Sequence, residues 1–486
     1  MVKMWTFFLC TFGCKVNQYE TQAIREAWQA LGGTECEKAE NADLILINSC
    51  AITAKGEGDA RRTLFRMRRL APQARIIFTG CAATLLTPFL SQAKAMQVFP
   101  DLLLPQQKKE YLLGNPFALL NDPKSHNNAE CFSPLTQEKE KSREPSSQRK
   151  HDKSPYPPFH IEDSTRHRPV IKVQDGCSHR CTYCIVPTMR SQIASRKPEE
   201  VLFEVRTLLA KGYSECILSG INLAEYGKER PEYGNFWDLV AYLDANLASE
   251  YEGKARLRIS SVSPNQLDSQ GITVLRNTKL LCPQLHISLQ HASRSILRRM
   301  GRGYYTASDL REAIAAISSF WPTLGLGCDI IVGFPGEREE DFTALFEFCR
   351  TMPFTYGHIF PYSRRPGTKA ITFSEAVADD VRKERAHRLR LLFQEKKHAF
   401  LQKLFDTQSH LHVIADEYTK ETGALQKGIS EYYTFCYFTA KKEECTPALF
   451  QARPIGIEKE GLIVERCEEE RRQSSACSTT KTPSNR

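Results

Sequence analysis

Residues 176–187 read GCSHRCTYCIVP and place Cys177, Cys181 and Cys184 in a Cys-x-x-x-Cys-x-x-Cys run directly after PVIKVQD, residues 169–175. A short β-branched run broken by glycine predicts a buried strand that delivers three thiols to its carboxyl end. Three thiolates on one tight loop suit three corners of a 4Fe-4S cube and leave the fourth iron open to a ligand that is not protein. A structural zinc site is the alternative, with His179 as its fourth ligand, although zinc loops favour paired Cys-x-x-Cys units. Tyr183 inside the loop suits either loop packing or contact with a planar ligand.

Outward from this loop, a strand–helix alternation runs from 168 to 401. Its strands are PVIKVQ, ECILSGI, RLRISSV, LHISLQ, LGCDIIVGF and YGHIFPYS, with helices such as PEEVLFEVRTLLAKG and TASDLREAIAAISSF between them. Repeated strand–helix units predict a parallel barrel or partial barrel. Residues 1–121 alternate in the same way: WTFFLCTFG, YETQAIREAWQALGG, ADLILINSC, GDARRTLFRMRRL and ARIIFTGC predict a separate parallel α/β sheet. Cys14, Cys50 and Cys81 each fall at or just after a strand's carboxyl end, the edge where open α/β sheets bind ligands. One such cysteine alone reads as a small buried hydrophobe; three in equivalent places predict a shared site. The polar, proline-containing stretch 122–167 predicts a flexible linker. Short β patterns over 406–467 predict a small barrel, and 468–486 a disordered tail.

At 486 residues, with 41% hydrophobic and 25% charged residues, the chain has the composition of a globular protein of about three domains. A net charge of +9 permits an anionic partner such as nucleic acid without demanding one. No apolar run reaches the ~18 residues of a membrane helix. The opening MVKMWTFFLCTFGCKV lacks a small-residue cleavage site and predicts a first strand rather than a signal peptide. Seventeen cysteines in such a chain favour metal binding in a reducing compartment, hence the cytoplasm.

The residues from Thr11 to about Ala370 resemble the radical S-adenosylmethionine (SAM) methylthiotransferases. TFGCKVNQYE, LINSCAIT and FTGCAA are similar to the three cysteine motifs of that family's first domain, and the resemblance implies a second 4Fe-4S cluster on Cys14, Cys50 and Cys81. SAM would bind the open iron at Cys177, Cys181 and Cys184, its adenine near Tyr183. ILSGINLAEYG, RISS, LQHAS and CDIIVGFPGE resemble the family's barrel motifs and offer Gly220, Arg258, Gln290 and Asp329 for the SAM and substrate pocket, with fold-stabilising hydrogen bonds as the alternative role for the polar three. GFPGE implies a tight turn. HIFPYSRRPGTKA matches the closing motif, where Arg364 and Arg365 suit either phosphate contact or solvent. The 406–467 segment takes the place of the family's RNA-binding TRAM barrel.

The GCKVNQYET wording is similar to the branch that methylthiolates N6-threonylcarbamoyladenosine beside the tRNA anticodon, as are YSRRPGT and the basic helix 381–405, which suits tRNA or plain solvation. The branches acting on N6-isopentenyladenosine and on ribosomal protein S12 are the alternatives. A tRNA-binding protein with structural clusters is a reading of another class. The implied mechanism uses one SAM as radical source and a second as methyl donor, with unidentified sulfur and electron donors and no membrane. The chain departs from the family at SQIASR (191–196), at LQHAS and in its enlarged linker.

Overall fold

The structure, a computed structural model, describes residues 4–85, 100–121, 156–416, 425–439, 449–458 and 460–467. The first sheet is parallel throughout, built from β1 (Trp5–Thr11), β2 (Gly33–Glu35), β3 (Leu44–Ser49), β4 (Arg75–Gly80) and β5 (Leu102–Pro105) in the order β2-β1-β3-β4-β5. Its central strand β3 is buried at every position, which is why LILINS reads as a continuous apolar run rather than an alternating one.

Two further sheets form the open barrel. One contains β6 (Val170–Asp175), β7 (Ala194–Ser195), β8 (Glu215–Gly220) and β9 (Arg256–Ile259) in the order β7-β6-β8-β9. The other contains β10 (Gln284–Gln290), β11 (Gly325–Val332) and β12 (Tyr356–Pro361) in that order, all parallel. Isolated bridges Leu257 to Leu281 and Val262 to Ile287 connect them. GFPGE makes the expected tight turn: Gly333 and Gly336 adopt φ of 70° and 86°, and the Glu337 carboxylate accepts from the Gly333 N–H at 2.7 Å.

The last unit is a closed barrel of β13 (Leu411–Ala415), β14 (Leu425–Ser430), β15 (Phe435–Thr439), β16 (Phe450–Glu458) and β17 (Gly461–Arg466). Its β14–β15 turn presses against the open barrel so closely that a Cβ on Gly325 would lie 2.1 Å from the Tyr432 carbonyl oxygen. The helix Asp379–Thr407 joins the units. Its basic residues are largely committed: Arg385 pairs with Glu337 at 2.8 Å, Arg390 donates to the Ile359 carbonyl, and Lys396 and Lys403 donate to the Met352 and Pro322 carbonyls.

Residues 156–167 do not behave as the linker expected there. Tyr156, Phe159 and Ile161 are buried, Tyr156 donates to the Lys172 carbonyl at 2.7 Å, and the Phe159 carbonyl accepts from Tyr19 at 2.9 Å. Three apolar anchors within six residues dock this stretch where the first domain meets the barrel. Residues 122–155 and the expected tail 468–486 lie outside the described residues.

The junction between these domains contains a buried ion network. Glu20, on the helix Lys15–Ala30, binds Lys109 at 2.6 Å, Lys172 at 2.7 Å and Arg190 at 2.9 Å, while Asp175 binds Lys172 at 2.6 Å and Arg190 at 2.8 Å. Burial alone would raise the Glu20 and Asp175 pKa values; the surrounding cations, Arg190 first, outweigh it and hold both below the usual carboxylate range. Glu20→Ala strands Lys109 and leaves Lys172 and Arg190 to share Asp175 alone, and is expected to cost ~3–5 kcal/mol, seen as a lowered urea midpoint. Depressed carboxylate pKa values give stability that is complete above the unfolded values near ~4 and is lost as pH falls through the folded ones. Acid unfolding should therefore set in below about pH 4 in the native chain, and Glu20→Gln should flatten that dependence.

Candidate functional site

Cys14 caps the helix Lys15–Ala30, Cys50 directly follows β3, and Cys81 directly follows β4, so the three thiols gather at the carboxyl ends of β1, β3 and β4, adjacent strands of one sheet. Gly13, at φ 92°, makes this possible: a Cβ there would lie 2.6 Å from the Cys50 Cβ and 2.7 Å from its Sγ. Asn17 braces two of the three loops, its Nδ2 donating to the carbonyls of Phe12 and Ser49 at 2.9 Å each. Burial pushes the Cys50 thiol up to about 11, with Cys14 and Cys81 adding to it. Burial also raises Cys14, against the pull of Arg190.

The second triad sits on the loop after β6. Gly176, at φ 77°, turns where a Cβ would lie 1.7 Å from the Gln192 carbonyl oxygen. Cys177 N–H donates to the Arg190 carbonyl at 3.0 Å, Cys184 N–H to the Cys181 carbonyl at 3.0 Å, and Thr182 N–H to the Met300 carbonyl at 2.9 Å. Two side chains the sequence did not single out reach the sulfurs: Asn222 Nδ2 lies 3.4 Å from Cys177 Sγ, and Arg302 Nη1 lies 3.9 Å from Cys181 Sγ. Burial pushes Cys177 up to about 11 and Cys184 up to about 12. These thiols carry their protons until a metal displaces them, so metal loading releases protons and is favoured by higher pH.

Neither cysteine triad is preformed as a tight tetrahedral zinc site. Zn–S bonds of ~2.3 Å in a tetrahedron hold sulfurs about 3.8 Å apart. Among the described residues, the one set of three His, Cys, Asp or Glu ligand atoms lying mutually within 4.8 Å is His286, Asp329 and His358; neither cysteine triad is drawn so tight. His179, the candidate fourth zinc ligand, is hydrogen-bonded through Nδ1 to Tyr304 at 3.2 Å.

The remaining candidates separate. Asp329 lies on β11, its Oδ1 3.1 Å from both His286 Nε2 on β10 and His358 Nδ1 on β12. Burial would raise its pKa, but hydrogen bonds from His286 and His358 outweigh that and keep it ionised. Gln290 ends β10 at φ 62°, a left-handed conformation costing a non-glycine residue ~1 kcal/mol and concentrated at functional sites. Tyr183 packs edge-on to Phe334, ring centroids 6.4 Å apart. The space beside Gly220 is filled by Leu223 and Gln174.

Arg258 is placed differently from the pocket role expected of it. Its Nε and Nη2 bind Glu215, Nη1 reaches Gln284 and the Glu431 carbonyl, and Nη2 the Ser430 carbonyl, so all five N–H groups are committed, three within the open barrel and two to the terminal one. Arg365 is likewise no phosphate contact: it is buried and pairs with Glu57 of the first domain at 2.7 Å. Arg364 donates to the Ile371 carbonyl at 3.1 Å.

Residues 171–349 match the Radical SAM superfamily, and residues 6–99 match a family described as Uncharacterized protein family UPF0004. Fold and cysteine loop thus define a radical SAM enzyme carrying an additional amino-terminal domain. The chain is 33% identical over 423 residues to the threonylcarbamoyladenosine tRNA methylthiotransferase MtaB of Bacillus subtilis, covering 86% of each chain. It is 31% identical to the protein of that name from Chlamydia pneumoniae, covering 95% of this chain and 98% of that one. It is 29% identical to the tRNA-2-methylthio-N(6)-dimethylallyladenosine synthase of Caldicellulosiruptor saccharolyticus, covering 87% and 84%. The chain belongs to the radical SAM methylthiotransferases. Its cofactors are SAM and two 4Fe-4S clusters. No helix among the described residues is long and apolar enough to cross a membrane.

Proposed function

We propose that the enzyme converts N6-threonylcarbamoyladenosine beside the tRNA anticodon to its 2-methylthio derivative, in the cytoplasm, with Cys177, Cys181 and Cys184 holding one cluster and Cys14, Cys50 and Cys81 the other. When bound, the first supplies the electron that opens the SAM sulfonium bond, and the second supplies the sulfur. Carbon 2 of adenine is unactivated, so acid–base catalysis alone would not replace its hydrogen. The protein's own contribution is positional: the loop bonds to Met300 and Arg190 hold one thiol triad, and Asn17 and Gly13 the other.

The substrate choice is carried by the relatives at 31–33% identity that are named for threonylcarbamoyladenosine, together with the GCKVNQYE wording, which resembles that branch. Lys15 supports it. This half-buried residue follows Cys14 directly, and its ammonium pKa is lowered by burial, then by Arg168 and Arg258, and raised by Asp329 and Cys14. It has no ion-pair partner among the described residues, whereas the threonyl group of the proposed substrate brings a carboxylate. Lys15→Met is expected to raise KM for such a tRNA about tenfold or more with a smaller effect on kcat, and to spare isopentenyladenosine tRNA. Steady-state kinetics on the two tRNAs checks this.

The alternative substrate, isopentenyladenosine, is favoured by the relatives at 29% identity named for dimethylallyladenosine. Nucleoside mass spectrometry of tRNA from cells lacking the gene decides between them. Loss of the 2-methylthio threonylcarbamoyl nucleoside supports the proposal; loss of the isopentenyl counterpart alone overturns it.

A further inference from the structure

Arg190 connects the two thiol triads. Its main-chain carbonyl accepts from Cys177 N–H at 3.0 Å. Its side chain runs to the other triad's support: Nη1 binds Glu20 at 2.9 Å and Asp175 at 2.8 Å, and Nη2 binds Glu20 at 2.9 Å and Asn17 Oδ1 at 3.2 Å. Asn17 in turn holds the carbonyls that precede the Cys14 and Cys50 loops. The residue is only 4% exposed, yet its Nε–H has no hydrogen-bond partner. An orphaned charged donor in such a place is costly unless a ligand completes it.

The surrounding charges point to an anion. Lys109, Lys172 and Arg190 bring three positive charges against the two of Glu20 and Asp175, a surplus of one beside the thiols. Arg190 and Lys109 both lie within electrostatic reach of Cys81, and Arg190 within that of Cys14. A thiolate-ligated cluster is an anion whose sulfurs accept hydrogen bonds, and such bonds and nearby positive charge raise its reduction potential.

We propose that Arg190 is a positioning residue for both clusters, its carbonyl fixing the Cys177 loop and its Nε–H donating to a sulfur of the cluster at Cys14, Cys50 and Cys81. The proposal rests on the assignment of that cluster to those three cysteines. A guanidinium suits the task because four of its N–H groups are spent on Glu20, Asp175 and Asn17 while the fifth points elsewhere; an ammonium has three donors and no fixed fork.

The test uses the full-length chain with Cys177, Cys181 and Cys184 all replaced by alanine, reconstituted anaerobically so that only the amino-terminal cluster remains. Potentiometric titration followed by electron paramagnetic resonance then compares Arg190, Arg190→Lys and Arg190→Met. The midpoint potential should fall in Arg190→Lys, which loses the donor, and further in Arg190→Met, which also loses the charge. Should Met fail to fold, Lys, which keeps the charge, still decides. In the otherwise intact enzyme, Arg190→Lys should raise the ratio of 5′-deoxyadenosine to methylthiolated product about tenfold or more. An unchanged potential with about four irons bound overturns the role of Arg190. Absence of iron from the protein that retains Arg190 overturns the cysteine assignment instead.

Discussion

Replacing Cys181 with alanine is expected to abolish SAM cleavage, with 5′-deoxyadenosine formation falling by about three orders of magnitude or more, an increase in barrier of roughly 4 kcal/mol. Two thiolates cannot hold three corners of a cube. Iron should drop from about eight to about four atoms per chain, because the other triad is untouched. The fold should survive. Thr182 keeps its bonds to the Met300 and Arg299 carbonyls, and its own carbonyl accepts from Ala370 N–H at 2.7 Å, so the loop is held independently of the sulfur. Anaerobic iron and sulfide analysis with chromatography of SAM products measures both effects; retained cleavage, or one zinc without labile sulfide, would sink the assignment.

The second large effect separates the two halves of the chemistry. Cys50→Ala should again leave about four irons, yet SAM cleavage should persist while methylthiolated product falls below detection. Cys50 is 6% exposed, with its thiol side by the bare face of Gly13, so the substitution removes one sulfur and leaves a cavity smaller than a methionine-sized loss, costing of order 1 kcal/mol. Loss of product is then not loss of fold. Methylthiolated nucleoside formed by Cys50→Ala would show that sulfur comes from elsewhere. SAM cleavage without product would also separate the enzyme from a tRNA-binding protein with structural clusters, which forms no 5′-deoxyadenosine at all.

Much of the architecture was legible because parallel strands buried on both faces are continuous apolar runs. LILINS, RIIFTG, ECILSG and GLGCDIIV announce themselves. Two short strands, Gly33–Glu35 and Ala194–Ser195, and the polar strand Leu425–Ser430 carry no such signal, since neighbouring strands rather than their own residues recruit them. The basic helix reads as a charged stripe, but its lysines and arginines turn back to cap carbonyls of the barrel. Residues 156–167 read as linker because three apolar side chains among polar ones are too sparse for any periodicity.

The cysteine ligand sets belong to the sequence. A Cys-x-x-x-Cys-x-x-Cys run fixes three thiols within one loop by chain length alone, and a cysteine at each of three parallel strand ends is drawn together because adjacent strands lie only ~4.8 Å apart. The charged residues belong to the tertiary structure. Glu20, Lys109 and Arg190 come from separate segments that meet Lys172 and Asp175 of β6, and each alone reads as a solvated surface group. Whether a charge can be buried depends on partners supplied by other segments at hydrogen-bond distance, and no local spacing encodes those partners. The same holds for Arg258, whose motif suggested a pocket and whose five N–H groups are spent on its own barrel and on two carbonyls of the terminal one.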